Sequence, residues 1–508
     1  MSGPEPAQAP PSAAAAGGDT SLREILQRLG KSIAGYGLVQ WSGPLLSFIF
    51  TPIITRILNP SDYGIADYAL TIAGAAGTLA LFALPQALTA HFNDQRDEQW
   101  QRRVTGSALL LVLLIGVPVG IALALLAPLI AESSFRDIQY AQLFVLIGTT
   151  FGFGLCANVL TTSAQAAMRV RMGMVFGLVS ILSTVAGNVL YIVVQRLGAT
   201  GMILTSVSTG AVQCITTLWL MRGRIGRPSS AIVQMLFRSG AVLVPFVIAS
   251  WALQVIDRLF LVYYVSTTEL GYYSIANRIA ALLYVAMAPF YSAWIPVSLA
   301  IEQSTRARER LAIVSRYIVA VVLSASLGLG LFAAEILIVL TRPAYLPASS
   351  YVGFLTYMYV FATLGSLLMT GAMISKQLGS ISWTTLVGAG VNITLNFVLI
   401  PTYGVWGAVA ATVIGYAIGP ALLYIYVQRQ YPIPYQTTIL LSALAVQAGL
   451  MLAGMAVPAL NFPIRVGIKL VLFLLFPVAL VVLRVVTPFE LRQARSFATT
   501  RLLRAVSR

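Results

Sequence analysis

The sequence predicts an all-α integral membrane protein with about 14 transmembrane helices, arranged as two six-helix repeat lobes followed by two C-terminal helices. Two observations predict the membrane. Of the 508 residues, 58% are hydrophobic and only 9% are charged, whereas a soluble protein carries about 25% charged residues. The apolar runs are continuous over the ~20 residues with which a helix crosses a ~30 Å hydrocarbon core. They lack the alternating segments of a membrane β-barrel.

Residues 1–31 are predicted to form a disordered tail and a short amphipathic helix. The first part is rich in Pro, Ala and Gly, and it lacks the basic start and long apolar core of a signal peptide. The segment Ser21–Glu24 has a capping-box pattern. Leu22, Leu26 and Leu29 then share one helical face. We expect this basic helix to lie on the membrane surface.

Fourteen apolar segments follow, each long enough to cross a bilayer as a helix, and we number them spans 1 to 14. Their predicted bounds are 33–57, 64–90, 104–131, 138–163, 174–195, 200–221, 239–265, 270–299, 316–341, 350–375, 380–400, 404–427, 437–457 and 466–486. The predicted divisions are an N-lobe with spans 1–6 at 32–232, a C-lobe with spans 7–12 at 233–430, spans 13 and 14 at 431–486, and a basic cytoplasmic tail at 487–508.

The basic residues predict the orientation of these spans. Most of the 32 lysines and arginines lie in the N-terminal segment, in alternate loops and in the C-terminal tail, on one side of the predicted helices. This is the positive-inside pattern, and it predicts that both termini are cytoplasmic. The net charge of +16 is explained by this topology, so nucleic acid is not an expected partner.

Matching residues predict that the two lobes are internal repeats. Gly198 and Gly404, 206 residues apart, each lie in the turn between the fifth and sixth spans of a lobe. Gly64 and Gly271, 207 residues apart, each follow the first span, in the segments NPSDYG and STTELG. A third pair, a basic residue followed by serine, precedes the first span of each lobe. Internally repeated halves are typical of transporters.

The turn between spans 11 and 12 has a physical explanation. We expect Pro401 to end one helix, because proline lacks the N–H that continues a helix, and Gly404 to allow the reversal. Small residues let the next helix pack closely on the first. Gly407, Gly415 and Gly419 supply that small face.

At these residues the chain resembles the polysaccharide flippase branch of the multidrug/oligosaccharidyl-lipid/polysaccharide exporter superfamily. The matching segments are LNPSDYG at 58–64, DRLFLVYYVSTTELGYYSIANRI at 257–279 and NFVLIPTYGVWGAVAAT at 396–412. The resemblance implies two lobes around a central cavity, formed largely by the first two spans of each lobe and opening alternately to either side of the membrane. It implies a polyprenyl-diphosphate-linked oligosaccharide as substrate and the bacterial inner membrane as location. The implied partners are this lipid-linked oligosaccharide, membrane lipids and polysaccharide polymerase machinery.

Three other functions are open. A multidrug or organic-cation antiporter of the same superfamily would need carboxylates in its cavity, whereas the candidates here are more basic than acidic. A lipid II flippase is a closer variant. A membrane glycosyltransferase or polymerase would need carboxylates or a large external loop, so we expect no enzyme. With two cysteines, one histidine and no CxxC motif, we also expect no metal and no cofactor.

Three charged residues in spans 7 and 8 are the leading site candidates. Asp257, Arg258 and Arg278 are predicted to lie at one depth in an antiparallel hairpin, and charges inside a membrane are functional by default. One hypothesis places Arg278, with Arg258, in the cavity and in contact with the substrate diphosphate. The alternative is a structural pair between Asp257 and Arg278.

Other candidates are polar residues in the presumed cavity spans, which either bind sugar hydroxyls or join helices. They are Gln40, Gln86, Gln254 and Asn277.

A last group of candidates concerns coupling and gating. We expect Arg56 to snorkel and to pair with Asp67 near the surface. Glu335 is a candidate for carrying a coupling proton, or else an interfacial carboxylate. Prolines predicted to kink the first span of each lobe are Pro44, Pro52 and Pro245.

Overall fold

The computed structural model describes residues 50–95, 97–302, 306–457 and 461–485. Throughout these ranges the regular structure is helical, without a strand, which confirms the all-α prediction. The predicted segment 1–31, most of span 1 with Gln40 and Pro44, and the tail at 487–508 lie outside the described residues.

Eighteen helices are labelled α1 to α18 in chain order. Those of the N-lobe are α1 at 50–57, α2 Pro60–Leu81, α3 Leu84–His91, α4 Glu98–Leu125, α5 Ala127–Phe135, α6 Ala141–Ala166, α7 Val170–Gly187 and α8 Gly198–Met221. Those of the C-lobe are α9 Ser230–Tyr264, α10 Thr267–Ala280, α11 Leu282–Glu302, α12 Ala307–Leu331, α13 Ala333–Leu340, α14 Ser349–Ile374, α15 Leu378–Tyr403 and α16 Val405–Gln430. The last two are α17 Thr437–Met455 and α18 Phe462–Val482.

Most of the described helices end within a few residues of the predicted spans, but α9 and α12 each begin nine residues before the predicted starts of spans 7 and 9. Spans 2, 3, 8 and 9 are each formed by two consecutive helices separated by a short break. Span 5 is α7 continued by the π-helix Asn188–Val194, and in the described residues spans 4, 6, 7 and 10–14 each contain one α-helix. Within the described ranges, 12 helices are long and apolar enough to cross a membrane. We call the end of the bundle at which α3, α6 and α8 finish the basic end, and the end at which α2 and α10 begin the opposite end.

Equivalent positions of the two lobes have the same local geometry. Gly198 and Gly404 both have a left-handed φ, +56° and +55°. The side chain of Asn59 caps α2 by accepting from the backbone of Asp62, and Ser266 forms a capping box with Glu269 at the start of α10. Such caps satisfy the orphan N–H groups of a helix start. The correspondence is what an internal repeat predicts.

The predicted role of Pro401 is wrong, whereas that of the small residues is confirmed. Pro401 lies inside α15, which continues to Tyr403, because the φ of proline is already helical and its position removes only one backbone hydrogen bond. Gly404 alone reverses the chain. A Cβ on Gly415 would lie 2.6 Å from Cβ of Asn392, so α15 and α16 pack in close contact because that Cβ is absent.

The two lobes meet where α2 crosses α10 at the opposite end. A Cβ on Gly271 would overlap the carbonyl oxygen of Pro60, and one on Gly64 would lie 2.7 Å from the backbone nitrogen of Gly271. Oγ of Ser61 and Oγ1 of Thr267 are 2.6 Å apart. Gly64 and Gly271 occupy corresponding positions of the predicted repeats, so their contact is the one expected of equivalent residues close to a pseudo-two-fold axis.

A layer of tyrosines covers this crossing. Tyr63 and Tyr345 are fully buried and meet edge to face, with ring centroids 6.2 Å apart. The Tyr345 hydroxyl also donates to the carbonyl oxygen of Leu58 at 3.2 Å. The segment before α14 therefore packs directly on the start of α2.

We predict that Gly271→Ala lowers the thermal unfolding midpoint of the detergent-purified protein by several degrees, because the added methyl overlaps the Pro60 carbonyl. The measurement is intrinsic fluorescence during heating. Gly77→Ala on α2 is the matched control, because nothing lies within 4 Å of its Cβ position and alanine favours a helix interior by roughly 0.5–1 kcal/mol. Equal midpoints for the two variants would show that α2 and α10 do not pack in close contact at Gly271.

Candidate functional site

Four charged residues lie close together inside the apolar helices that join the lobes. Asp67 is on α2, Asp257 and Arg258 are near the end of α9, and Arg278 is on α10. A charge within a membrane-spanning helix costs several kcal/mol unless it is paired or hydrated. Their partners therefore decide what each residue can do.

Arg258 joins the lobes through an ion pair with Asp67. Its Nε donates to Asp67 Oδ2 at 2.7 Å, and Ser274 Oγ donates to the same oxygen at 2.7 Å. The guanidinium lies over the Tyr273 ring, 5.7 Å from its centroid, and Arg258 is only 7% exposed. The sequence hypothesis that Arg258 faces the cavity has no support in this geometry, because its charge is directed at Asp67.

The expected pair of Arg56 and Asp67 is not found. Nη2 of Arg56 donates to the carbonyl oxygen of Val339 at 3.0 Å, in an exposed position. Asp67 instead points across the interface to Arg258. The physical reason is that Arg56 lies at the end of α1, next to water, whereas Asp67 lies two turns inside α2, where a buried guanidinium from the other lobe is available.

Asp257 is held within the C-lobe. It is 2% exposed, and its Oδ1 accepts from the backbone N–H of Arg258 at 2.9 Å. Its Oδ2 accepts from Thr412 Oγ1 at 3.2 Å and from the Tyr273 hydroxyl. The alternative pair of Asp257 with Arg278 does not occur between these described side chains.

Arg278 lines a cavity of about 420 Å³ in the other lobe, which we call the N-lobe cavity. It lies on α10 one turn after Ser274, on the same helix face. Its Nη1 donates to the Tyr63 hydroxyl at 3.1 Å. The other walls come from α1, α2, α7 and α8. Arg278 thus places a guanidinium from the C-lobe in a cavity of the N-lobe.

The polar wall of this cavity was missed by the sequence reasoning. Spans 5 and 6 supply it, whereas the resemblance implied mainly spans 1 and 2. The spacing of these residues in the sequence could have predicted the wall, because hydroxyl and amide side chains three or four residues apart share one helix face. These residues are Ser180, Thr184, Asn188, Thr205, Ser206 and Thr209.

A second cavity, of about 290 Å³, lies in the C-lobe between α9, α14, α15 and α16. Gln254 lines it, and its Nε2 donates to the Ser250 carbonyl at 3.3 Å. Asn277 is 8% exposed, and its Oδ1 has no hydrogen-bond partner among the described residues. Gln86 is exposed on α3 and lines neither cavity.

The proline candidates have different surroundings. Pro52 lies in α1, the described end of span 1. Pro245 lies inside α9, which runs unbroken for 35 residues. A break occurs instead in span 2, where Phe82 and Ala83 both have a left-handed φ, 49° and 54°.

Glu335 lies away from both cavities, in an ion cluster that the sequence reasoning did not foresee. Lys469 Nζ lies 2.8 Å from Glu335 Oε2, and Arg465 Nε lies 2.9 Å from Oε1. Glu335 and Lys469 are 9% and 7% exposed. The cluster joins α13 to α18, so the carboxylate is buried against a basic helix. The signal in the sequence was the pair of basic residues four apart, Arg465 just before span 14 and Lys469 inside it.

The lobes also touch at the basic end. The rings of Phe82 and Phe237 stack with centroids 4.7 Å apart. His91 Nε2 lies 2.8 Å from Ser239 Oγ, and its Nδ1 lies 2.6 Å from Asp94 Oδ2. Span 2 therefore contacts the C-lobe at the opposite end, at mid-depth through Asp67, and at the basic end.

We find no group of three or more His, Cys, Asp and Glu side chains in the described ranges that could hold a metal ion. Cys156 and Cys214 are buried, and neither forms a disulfide. The chemistry available in the N-lobe cavity is thus that of a guanidinium, hydroxyls and an amide.

We predict that Asp67→Asn destabilises the protein strongly, because it removes the carboxylate that compensates the buried Arg258. Removing one partner of a buried ion pair costs about 3–5 kcal/mol, and Asp257 at 3.8 Å offsets part of this. Thermal unfolding in detergent measures the effect. The double variant with Arg258→Gln should lose less than the sum of the single losses. Glu98→Gln, which breaks an exposed pair with Arg102, should change little. Additive losses would show that Asp67 and Arg258 are not coupled.

Comparisons with known proteins bear on both the family and the fold. The family model of polysaccharide biosynthesis proteins matches residues 29–302, more than half of the chain. A comparison with curated protein sequences gave no significant match.

Solved structures share the fold. A structure of the lipid II flippase MurJ, in an inward closed conformation, is 15% identical, covers 89% of this chain and 98% of its own, and has a TM-score of 0.67. An inward-facing multidrug resistance MATE family transporter of the MOP superfamily is 14% identical. The match covers 77% of this chain and 97% of that transporter, with a TM-score of 0.61. A third structure is a MOP superfamily transporter from Pyrococcus furiosus, described as having a binding pocket of reverse polarity. It is 16% identical, and the match covers 81% of this chain and 96% of that transporter, with a TM-score of 0.57.

At these identities the likeness concerns the fold alone, which this chain shares with the three solved structures over 77–89% of its length. The family match extends from span 1 to span 8 and includes the helices that carry Asp67, Arg258 and Arg278. By that match, the chain belongs to the polysaccharide biosynthesis protein family.

Proposed function

We propose that this protein flips a polyprenyl-diphosphate-linked oligosaccharide from the cytoplasmic to the outer leaflet by alternating access, for the synthesis of a cell-surface polysaccharide. The observation that carries the proposal is the position of Arg278, whose guanidinium lines the N-lobe cavity at the interface of the lobes. Membership of the polysaccharide biosynthesis protein family supports a saccharide-containing substrate, and the residues that line the cavity match the chemistry of a diphosphate and a sugar.

The cavity can accommodate both parts of such a head group. A guanidinium binds phosphate oxygens bidentately, and the attraction strengthens where water is scarce. Hydroxyls and the Asn188 amide can exchange hydrogen bonds with sugar hydroxyls. A cavity of about 420 Å³ is in the range that holds a small ligand. We propose that it receives the diphosphate and the adjoining sugar, while the polyprenyl chain stays in the bilayer.

Transport in this direction has a favourable electrostatic term. Moving one negative charge outward across a membrane that is negative inside is favoured by about 2.3 kcal/mol per 100 mV. The contacts that must open for release are those at the opposite end, where Gly64 and Gly271 cross. Those that must open for entry are at the basic end, where Phe82 stacks on Phe237. We propose that the Asp67–Arg258 pair holds the lobes together between these two ends.

The cation antiporter is less well supported. A cationic substrate needs a carboxylate that faces the cavity, and no Asp or Glu lines either cavity among the described residues. Both carboxylates at this depth are directed at donors, Asp67 at Arg258 and Asp257 at Thr412 and Tyr273. A lipid II flippase is the second candidate, because the MurJ fold is similar over 89% of the chain and its substrate has the same diphosphate chemistry.

The remaining assignments follow from this proposal. The lipid-linked substrate is assembled on the cytoplasmic side, so we propose the bacterial inner membrane as location, with both termini cytoplasmic as the charge distribution predicts. Membrane lipids and the polymerase machinery that would use the flipped unit are the proposed partners. We propose no covalent chemistry and no cofactor.

We predict that Arg278→Ala abolishes retention of the substrate. Native mass spectrometry of protein purified in mild detergent from its native host should show wild-type protein carrying a polyprenyl-diphosphate saccharide. We expect its occupancy to fall at least tenfold in Arg278→Ala and less in Arg278→Lys, because an ammonium is a point charge without the bidentate geometry. Arg103→Ala, an exposed arginine on α4, is the control and should retain the lipid.

The mass of the bound molecule separates the candidates. The mass of lipid II would assign the protein to that substrate, and a bound organic cation unaffected by Arg278→Ala would favour the antiporter. Equal retention in Arg278→Ala and Arg103→Ala would contradict the role proposed for Arg278. A flipping assay in vesicles, with the same variants, tests transport itself.

A further inference from the structure

The basic end of the N-lobe carries a cleft that is separate from both cavities. Its walls come from the first turns of α4, the end of α6 and the short helix Arg222–Arg224 that follows α8. Three of its residues are arginines, Arg102, Arg169 and Arg224. We call it the arginine cleft.

Backbone contacts bring these arginines together. After α6 the chain reverses at Met168, which has φ +52°, and the N–H of Arg169 donates to the Ala164 carbonyl at 3.0 Å. The segment after α8 lies directly on α4, because the N–H of Gly226 donates to the Arg102 carbonyl at 2.8 Å. The arginines are thus fixed by three different spans rather than carried on one exposed helix.

The charges in the cleft do not balance. The only carboxylate among its lining residues is Glu98, whose Oε1 accepts from Arg102 Nη2 at 3.1 Å. Nη1 of Arg224 is a buried atom without a hydrogen-bond partner among the described residues. A buried donor without an acceptor is destabilising. The cleft therefore has an excess of positive charge and a donor that needs an anionic oxygen.

The cleft lies at the level of lipid head groups. Trp219, on the last turns of α8, is 62% exposed, and the guanidinium of Arg222 lies 5.7 Å from its ring centroid. Tryptophan at the end of a membrane helix marks the interface between hydrocarbon and water. Below it, α4 exposes Leu110 and Leu114 to the bilayer, which gives lipid chains an apolar surface.

We propose that the arginine cleft binds a phosphate group, presented by the head group of an anionic phospholipid in the adjoining leaflet or by free phosphate. Guanidinium groups match phosphate oxygens in geometry and charge, and basic pockets between membrane helices bind anionic head groups. The cleft has a volume of about 20 Å³, room for about one oxygen atom, so one phosphate oxygen enters it toward Arg224 Nη1 and the rest of the group lies at its mouth, beside Arg169. This site does not depend on the transport proposal, because neither arginine lines the N-lobe cavity.

Native mass spectrometry of the full-length protein tests this proposal. The delipidated protein is titrated in detergent with phosphatidylglycerol or with phosphatidylcholine of the same acyl chains. We expect one tight phosphatidylglycerol site, with an affinity at least tenfold above that for phosphatidylcholine. Arg169→Gln with Arg224→Gln should weaken it at least tenfold. Arg103→Gln with Arg227→Gln is the matched control, because it removes the same charge from exposed positions at the same end.

Each of the other possible outcomes of this titration either supports or overturns the proposed site. Equal weakening in the two double variants would show general attraction and overturn the site, as would equal binding of the two lipids by wild-type protein. If the first double variant does not fold, Arg224→Lys keeps the charge and should weaken binding about threefold. Inorganic phosphate is added as competitor: displacement at millimolar concentration shows that the site takes either source, and no displacement assigns it to the lipid.

Discussion

The low dielectric of the bilayer is the constraint on which the rest of the structure depends, and the Asp67–Arg258 pair shows how it is met. A guanidinium within hydrocarbon is costly unless it is paired or hydrogen-bonded, and Arg258 has its anionic partner in the other lobe, 191 residues away. The pair fixes the relative position of α2 and α9, and Ser274 brings α10 to the same oxygen. Arg278, one turn further along α10, is thereby placed in the N-lobe cavity. The site thus depends on the ion pair that holds the lobes together.

The low dielectric of the bilayer also separates two kinds of charged residue in the protein, those that join helices and the one that lines a cavity. Asp67, Asp257 and Glu335 are each held by donors on neighbouring helices, so they contribute to architecture. Arg278 instead lines a cavity. An anionic substrate gains more from this arrangement than a cationic one does, because a guanidinium lines the N-lobe cavity whereas no described Asp or Glu does.

Features that depend on local chain chemistry were predictable from the sequence, and those that depend on contact between lobes were not. Span bounds follow from continuous apolar runs, and the reversal at Gly404 follows from its conformational freedom. The partner of Asp67 could not be found in this way, because Arg56 was the nearest arginine along the chain whereas Arg258 is nearest in space. The pair of Glu335 and Lys469 is separated by 134 residues. The faces of α7 and α8 that carry hydroxyl groups, by contrast, could have been predicted from helical periodicity.

The crossing of Gly64 and Gly271 has a consequence for how the two halves came to differ. Where two equivalent helices cross at a two-fold axis, as in a homodimer, a residue close to the axis lies near its own counterpart. Asp67 faces Ser274, its counterpart 207 residues on. In a dimer of identical halves, aspartate at this position would bring two carboxylates together, and two like charges in hydrocarbon repel strongly. In a single chain each position changes independently, so a carboxylate and a hydroxyl can stand opposite each other at the crossing, as Asp67 and Ser274 do.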